Sequence, residues 1–175
     1  VSQLDIENTL RFNNQLTILT LTADGLKQII EHGVSAWTTT STPGQFPQVG
    51  GMKFSFDPDL AAGSRVRSMV ILNADGSVKD CIVAGGNLVG DSTRQIKIVT
   101  LNFLANPSSG NPAIGGDSYP FPSLAVGGPA AYVNTGIGEQ AAFADLLTAE
   151  YPDAPNAFDV AETAAPLDLR IQNLK

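Results

Sequence analysis

Histidine and cysteine are almost missing from this chain: its 175 residues carry one of each, His32 and Cys81. A lone cysteine excludes an internal disulfide and is compatible with either redox compartment. A lone histidine leaves no second imidazole to share a metal ion. Basic residues are also scarce, with 10 Lys and Arg against 17 Asp and Glu, a net charge of -7 and no cationic run. Nothing here neutralises a nucleic-acid backbone, so no nucleic-acid partner is expected, and an anionic membrane would repel the chain. No apolar run reaches transmembrane length, so no membrane insertion is expected. The first residues, VSQLDIENTL, have neither the basic start nor the apolar core of a signal peptide. Because the chain opens on Val1 without Met, it is expected to be a processed or excised piece of a longer one. Internal repeats, low-complexity tracts and a Gly-rich phosphate loop are absent.

What is present describes one loop-rich globular domain over residues 1–175: 43% hydrophobic content, 17 Gly, 11 Pro and only 15% charged residues. Leu4, Ile6 and Leu10 suggest a short helix or turn leading into Arg11-Phe12-Asn13-Asn14. Gln15 to Leu21 (QLTILTL) is rich in β-branched residues and reads as a strand. Thr22 fits an N-cap, Leu26, Ile29 and Ile30 recur at helical spacing, and Gly33 reads as the stop. His32, at the end of that helix, is a metal ligand or general base on one reading. The other reading, a cation near a helix C-terminus, is favoured.

Ser35 to Gln45 is a polar loop with a turn at Pro43-Gly44, and Trp37 within it either packs on the sheet or rims a pocket. Met52, Phe54 and Phe56 alternate with Lys53 and Ser55, which predicts a half-buried strand over Gln48 to Phe56. Ser64 to Leu72 and Val78 to Val83 flank the turn signal Asn73-Ala74-Asp75-Gly76 and are expected to pair as a hairpin. Cys81 falls inside the second of these strands, where a buried thiol is favoured over a nucleophile. Phe121 to Pro129 should be loop, Gly138 to Glu150 an amphipathic helix and Tyr151 to Ala165 irregular. Leu167, Leu169 and Ile171 alternate with polar residues as a closing strand. The fold class is α+β, a mixed β-sheet with helices packed on it.

The stretch from Leu101 to Pro120 has the parts of a ligand wall. Gln95 to Leu101 reads as a strand, so Phe103 sits just past a strand end, carried by a rigid element yet free to face outward. Gly115 and Gly116 let the backbone approach a guest, and Asp117 follows as an acceptor. An aromatic face beside a carboxylate suits a flat, hydrogen-bonding ligand such as a nucleobase with its ribose. Burial of Phe103 in the core, with Gly115 to Pro120 a mere turn, is the competing reading.

Four motifs in order, FNNQLTILTLTADGLKQIIEHGVS, GQFPQVGGMKFSFDPDLAAGSRV, IVTLNFLAN and GGDSYP, resemble the C-terminal domain of the secreted and periplasmic 5'-nucleotidases. YVNTG at Tyr132 to Gly136 is similar to some bacterial members. The resemblance implies an α+β domain that clamps a nucleotide or nucleoside base between the rings of Phe12 and Phe103. It also implies contacts to the base edge from Asn14 and the backbone at Gly44, and a ribose contact from Asp117. It implies, too, a parent hydrolase with two divalent metals in an N-terminal metallophosphatase domain, located in the periplasm, at the cell surface or outside the cell. With one histidine and no DxH or GNHE-like segment, no catalytic residue, metal ligand or cofactor is expected in this chain.

Two departures from the family pattern bear on Asp117. PSSGNPAI, Pro107 to Ile114, intervenes between the FLAN-like segment and the glycine pair, and Ser118 stands where a glycine is usual. The insertion either shifts Asp117 relative to Phe103 or builds a lip over the pocket. Three readings follow: a base-binding domain, the same fold with the clamp lost or retuned, and a free-standing enzyme, which no catalytic constellation supports.

Overall fold

The computed structural model describes residues 1–157 and 168–175. Ser2 begins the chain's first helix, α1 (Gln3–Thr9), through a reciprocal cap in which Asp5 N donates to Ser2 Oγ (3.3 Å) and Ser2 N to Asp5 Oδ2 (2.7 Å). Strand β1 (Gln15–Thr22) follows, and its period of two turns Thr17, Leu19 and Leu21 to the core. Thr22 Oγ1 then accepts from Gly25 N (2.9 Å) and starts α2 (Ala23–Val34).

The fold is α+β with helices packed on mixed β-sheet, as expected, and its strands divide between two sheets. The first is three-stranded: β1 lies between β6 (Gln95–Leu101) and β7 (Tyr132–Gly138), antiparallel to both. The second runs β5-β4-β3-β2-β8, from β5 (Asn87–Leu88) through β4 (Val78–Ala84), β3 (Val66–Leu72) and β2 (Met52–Phe56) to β8 (Ile171–Asn173). The expected hairpin is β3 with β4. The closing strand is the short β8, parallel to β2, and the expected pattern before it falls partly on residues 158–167, outside the described residues.

Helix α2 packs on strands of both sheets. That is why it buries far more than one stripe, from Ala23 and Leu26 through Ile29 and Ile30 to Val34. Gly33 does not stop it, as the sequence suggested; the helix runs through to Val34 with Ser35 as its cap. The glycine is there for close approach, since a Cβ would lie 2.7 Å from Tyr119 Oη and 2.8 Å from Pro47 Cδ.

Glu31 ties the two layers together. Although it is only 5% exposed, both its oxygens are satisfied: Arg65 N donates to Oε2 (2.8 Å) and Val66 N to Oε1 (3.0 Å) at the start of β3. Arg65 in turn donates to the carbonyls of Leu60 (3.0 Å), Val34 (2.7 Å) and Trp37 (3.0 Å), closing the C-terminus of α2.

Two further expectations are corrected. Phe121 to Pro129 is not all loop: Phe121–Leu124 forms a one-turn helix, α4, with proline in its first turn where no amide bond is lost, and with Phe121 and Pro122 buried. A second one-turn helix, α3 (Asn102–Ala105), follows β6 directly. The helix expected near Gly138 is α5 (Glu139–Glu150), yet it buries no residue and leaves Leu146 52% exposed. It sits at the edge, against α1 and β7, so its spacing of apolar residues has no core to face. Cys81 is half-buried, with its Sγ 3.8 Å from the Val83 carbonyl.

Replacing Glu31 by Ala strands two backbone donors in the interior. The expected loss is about 2–4 kcal/mol of stability, read as a lower urea midpoint at unchanged slope, with Glu31→Gln losing less. A midpoint unchanged in Glu31→Ala would contradict the role assigned to this carboxylate.

Candidate functional site

The site grows from the end of the three-stranded sheet. Antiparallel pairing puts Leu16 opposite Leu101, so the residues before the one and after the other leave at the same end. Asn102 extends the ladder by one step, its Oδ1 accepting from Gln15 N at 2.8 Å. Phe12 and Phe103 flank this junction, on the turn that enters β1 and on α3.

Phe12 is 87% exposed and Phe103 is 49% exposed, and among the described residues no other phenylalanine is an exposed one. Burial of Phe103 in the core is therefore excluded. Among the described residues neither ring contacts another aromatic ring, including its counterpart.

The turn carrying Phe12 is fixed from α5. Asn14 donates to Glu139 Oε1 from its backbone (2.9 Å) and from its side chain (3.2 Å), and Gln140 Nε2 donates to the Leu10 carbonyl (2.8 Å). Asn13 adopts φ 44°, a left-handed conformation that asparagine tolerates better than most residues. Among the described residues, the other amide hydrogen of Asn14 and its side-chain oxygen have no hydrogen-bond partner.

Phe103 rests on the glycine pair. A Cβ on Gly116 would overlap the Phe103 ring, and one on Gly115 would overlap the Leu104 carbonyl. Both positions therefore require glycine for close approach. The Pro107–Ile114 insertion does not push the pair away, because it closes on itself: Ser108 N donates to the Ile114 carbonyl (2.8 Å) and Asn111 N to the Ser108 carbonyl (3.3 Å). The chain leaves α3, makes this small hairpin and returns to the same place.

Asp117 follows on an exposed corner, with φ 50°, and Ser118 with φ 59°. Left-handed backbone costs a residue with a side chain about 1–2 kcal/mol, so this corner is strained and must be held from outside. His32 Nε2 meets the Asp117 carbonyl at 2.9 Å, and Tyr119 Oη donates to the Gln45 carbonyl at 2.6 Å. Gly44, next to Gln45, is exposed in the turn closed by Phe46 N and the Pro43 carbonyl (2.9 Å).

Phe103 thus lies against Gly116, the residue before Asp117; Asn14 and Phe12 join them through the Gln15–Asn102 bond, and Gly44 joins through Tyr119. Sequence reasoning missed the parts in between: Asn102, Glu139, Gln45 and the use of His32 as a tie. Only Gly115 and Gly116 announced themselves.

Two cavities lie elsewhere. One, of about 340 Å³, is walled by Trp37, Phe46, Phe56 and Ile171 and rimmed by Asp168 and Arg170; the other, of about 410 Å³, includes Lys27, Glu31 and His32. Neither is lined by Phe12 or Phe103, whose rings are exposed at the surface. Trp37 satisfies both of its readings, packing edge-on against Phe56 (centroids 5.6 Å apart) and rimming the first cavity. Hydrogen bonds from Arg170 lower the Asp168 carboxyl to about 2. Among the described residues there is no cluster of three or more His, Cys, Asp or Glu, and no helix long and apolar enough to cross a membrane.

Burial pushes the Tyr119 phenol up to about 12, and the charge of Asp117 acts the same way. An unfolded tyrosine ionises near about 10, so the folded state keeps this proton longer, and the stability it contributes below about pH 10 is lost as pH rises to about 12. Spectrophotometric titration should show a late-ionising phenol that is missing in Tyr119→Phe, and that variant should lack this part of the alkaline stability loss. Three tyrosines titrating together near pH 10 in the folded protein would contradict this.

A family model described as the 5'-nucleotidase C-terminal domain matches residues 1–115. Protein 5NUC of Lutzomyia longipalpis is 35% identical over 72 residues, which is 41% of this chain and 13% of that protein. Among solved structures, a 5'-nucleotidase precursor from Thermus thermophilus superposes with a TM-score of 0.72 at 24% identity, over 100% of this chain and 28% of its own. The NAD nucleotidase of Haemophilus influenzae gives a TM-score of 0.70 at 17% identity, over 100% of this chain and 27% of its own. At these identities the structural likeness is one of fold alone. This chain spans less than a third of each of these proteins.

Proposed function

Because the chain belongs to the 5'-nucleotidase C-terminal domain family, we propose that it is the nucleotide- and nucleoside-recognising domain of a phosphate ester hydrolase. The observation that carries this is the exposure of Phe12 and Phe103 at one end of the β1–β6 ladder, beside an exposed carboxylate. Large rings left in solvent are unfavourable unless something covers them, and a purine inserted between two phenyls buries both of its faces.

In this reading the Asn14 amide, with one hydrogen and its oxygen unspent, meets the base edge, and the Gly44 backbone meets it from the other side. The Asp117 carboxylate accepts from the ribose hydroxyls. Base identity is weakly set by stacking, which every heterocycle satisfies. The hydrolytic step is assigned to an N-terminal metallophosphatase domain of the parent protein, with two divalent metals, and the chain described here is not catalytic by itself. Location in the periplasm, at the cell surface or outside the cell is proposed on the strength of the family.

A second reading keeps the fold without the nucleotide. It is favoured by one observation: neither described cavity is lined by the two rings.

Titration with adenosine at millimolar concentration separates the two. The proposal expects the ring resonances of Phe12 and Phe103 to move, with weak affinity because adenosine is held by stacking and a few hydrogen bonds alone. It expects Phe12→Ala and Phe103→Ala each to lose about 1–3 kcal/mol, or roughly fivefold to 150-fold in Kd. No response of either ring favours the second reading.

A further inference from the structure

We propose that His32 is the positioning residue for sugar recognition, holding the Asp117 carboxylate where ribose hydroxyls can reach it. The inference rests on the nucleoside reading above and adds to it the residue that makes the ribose count. Asp117 and Ser118 both lie in left-handed backbone, with φ 50° and 59°. Such a conformation persists only where its surroundings enforce it.

Three hydrogen bonds enforce it. Gly115 N donates to the Tyr119 carbonyl (2.8 Å) and Tyr119 N to the Gly116 carbonyl (3.1 Å), which close the loop on itself. The third, between His32 Nε2 and the Asp117 carbonyl, ties Asp117's own peptide to the body of the protein. A carbonyl oxygen only accepts, so Nε2 carries the proton. Without that donor the Asp117–Ser118 peptide is free to rotate and relieve Ser118, and the carboxylate turns with it.

His32 is well placed for this work. Its ring stands edge-on to buried Tyr119, with centroids 4.6 Å apart, and its own carbonyl accepts from Gln45 Nε2 at 2.7 Å. Gln45 is the neighbour of Gly44, and its carbonyl takes the Tyr119 hydroxyl. One imidazole and one phenol therefore link the Gly44 turn and the Asp117 corner to the last turns of α2.

The test compares adenosine with 2',3'-dideoxyadenosine, which lacks the 2' and 3' hydroxyls, by NMR titration of the 175-residue chain. His32→Ala, and His32→Asn whose amide is too short to reach Asp117, should weaken adenosine about tenfold, the size of one lost hydrogen bond, and leave dideoxyadenosine unchanged. His32→Gln, which places an amide donor near the Nε2 position, should restore adenosine binding. Equal weakening of both ligands, or no weakening of adenosine, overturns the proposal. A wild-type chain that binds both ligands equally overturns it too, while leaving the ring clamp standing. Binding of neither ligand overturns the positioning role and the nucleoside reading together.

Discussion

The antiparallel ladder between β1 and β6 is the constraint on which the candidate site depends. Two phenylalanines separated by most of the first hundred residues come to one edge because Leu16 pairs with Leu101, in a register that keeps Thr17, Leu19 and Leu21 on the buried face. A slip of one residue would turn that apolar face to solvent. The Gln15–Asn102 hydrogen bond adds a side-chain rung to the ladder just where the rings depart. The site thus inherits its geometry from the most strongly specified part of the sheet.

Around that junction, small rigid devices take the place of a deep pocket. The glycine pair brings Phe103 down onto the backbone, and the inserted hairpin folds away without lengthening the path from Phe103 to Asp117. Glu139, at the N-terminus of α5, fixes the opposite turn through Asn14, where its charge also suits the helix dipole. α5 buries nothing of its own, and this tether is what its first turn contributes to the site. On the proposed reading, such an exposed site would bind a nucleoside weakly by itself, and a further domain of the parent protein would supply the remaining contacts.

Much of this was legible in the residues themselves. The β-branched content of Gln15 to Leu21, the Thr22 cap and the Asn73 to Gly76 turn each state a local preference that the fold obeys, whereas the strand expected over Gln48 to Phe56 begins only at Met52 and buries Ser55 along with Met52, Phe54 and Phe56. Elements judged on spacing alone fared worse. The apolar residues of Glu139–Glu150 lie at helical intervals but meet no core, and Gly33 looks like a terminator although it serves the approach of Tyr119. The division into two sheets was hidden because α2, which packs on both, reads in sequence as an ordinary amphipathic helix. Phe12, Phe103 and Asp117 stood out through the family resemblance and the glycine pair. His32 did not, since its role depends on a carbonyl 85 residues away that carries no mark in the sequence.

The central claim is that a single heterocycle is gripped by both rings at once. Intermolecular nuclear Overhauser effects between adenine H2 and H8 and the protein's side chains test it most directly. The account predicts cross-peaks from the base to the ring protons of both Phe12 and Phe103 in one complex. Contacts to one ring alone, or to Trp37 and Phe46 in the cavity beside β8, would contradict it.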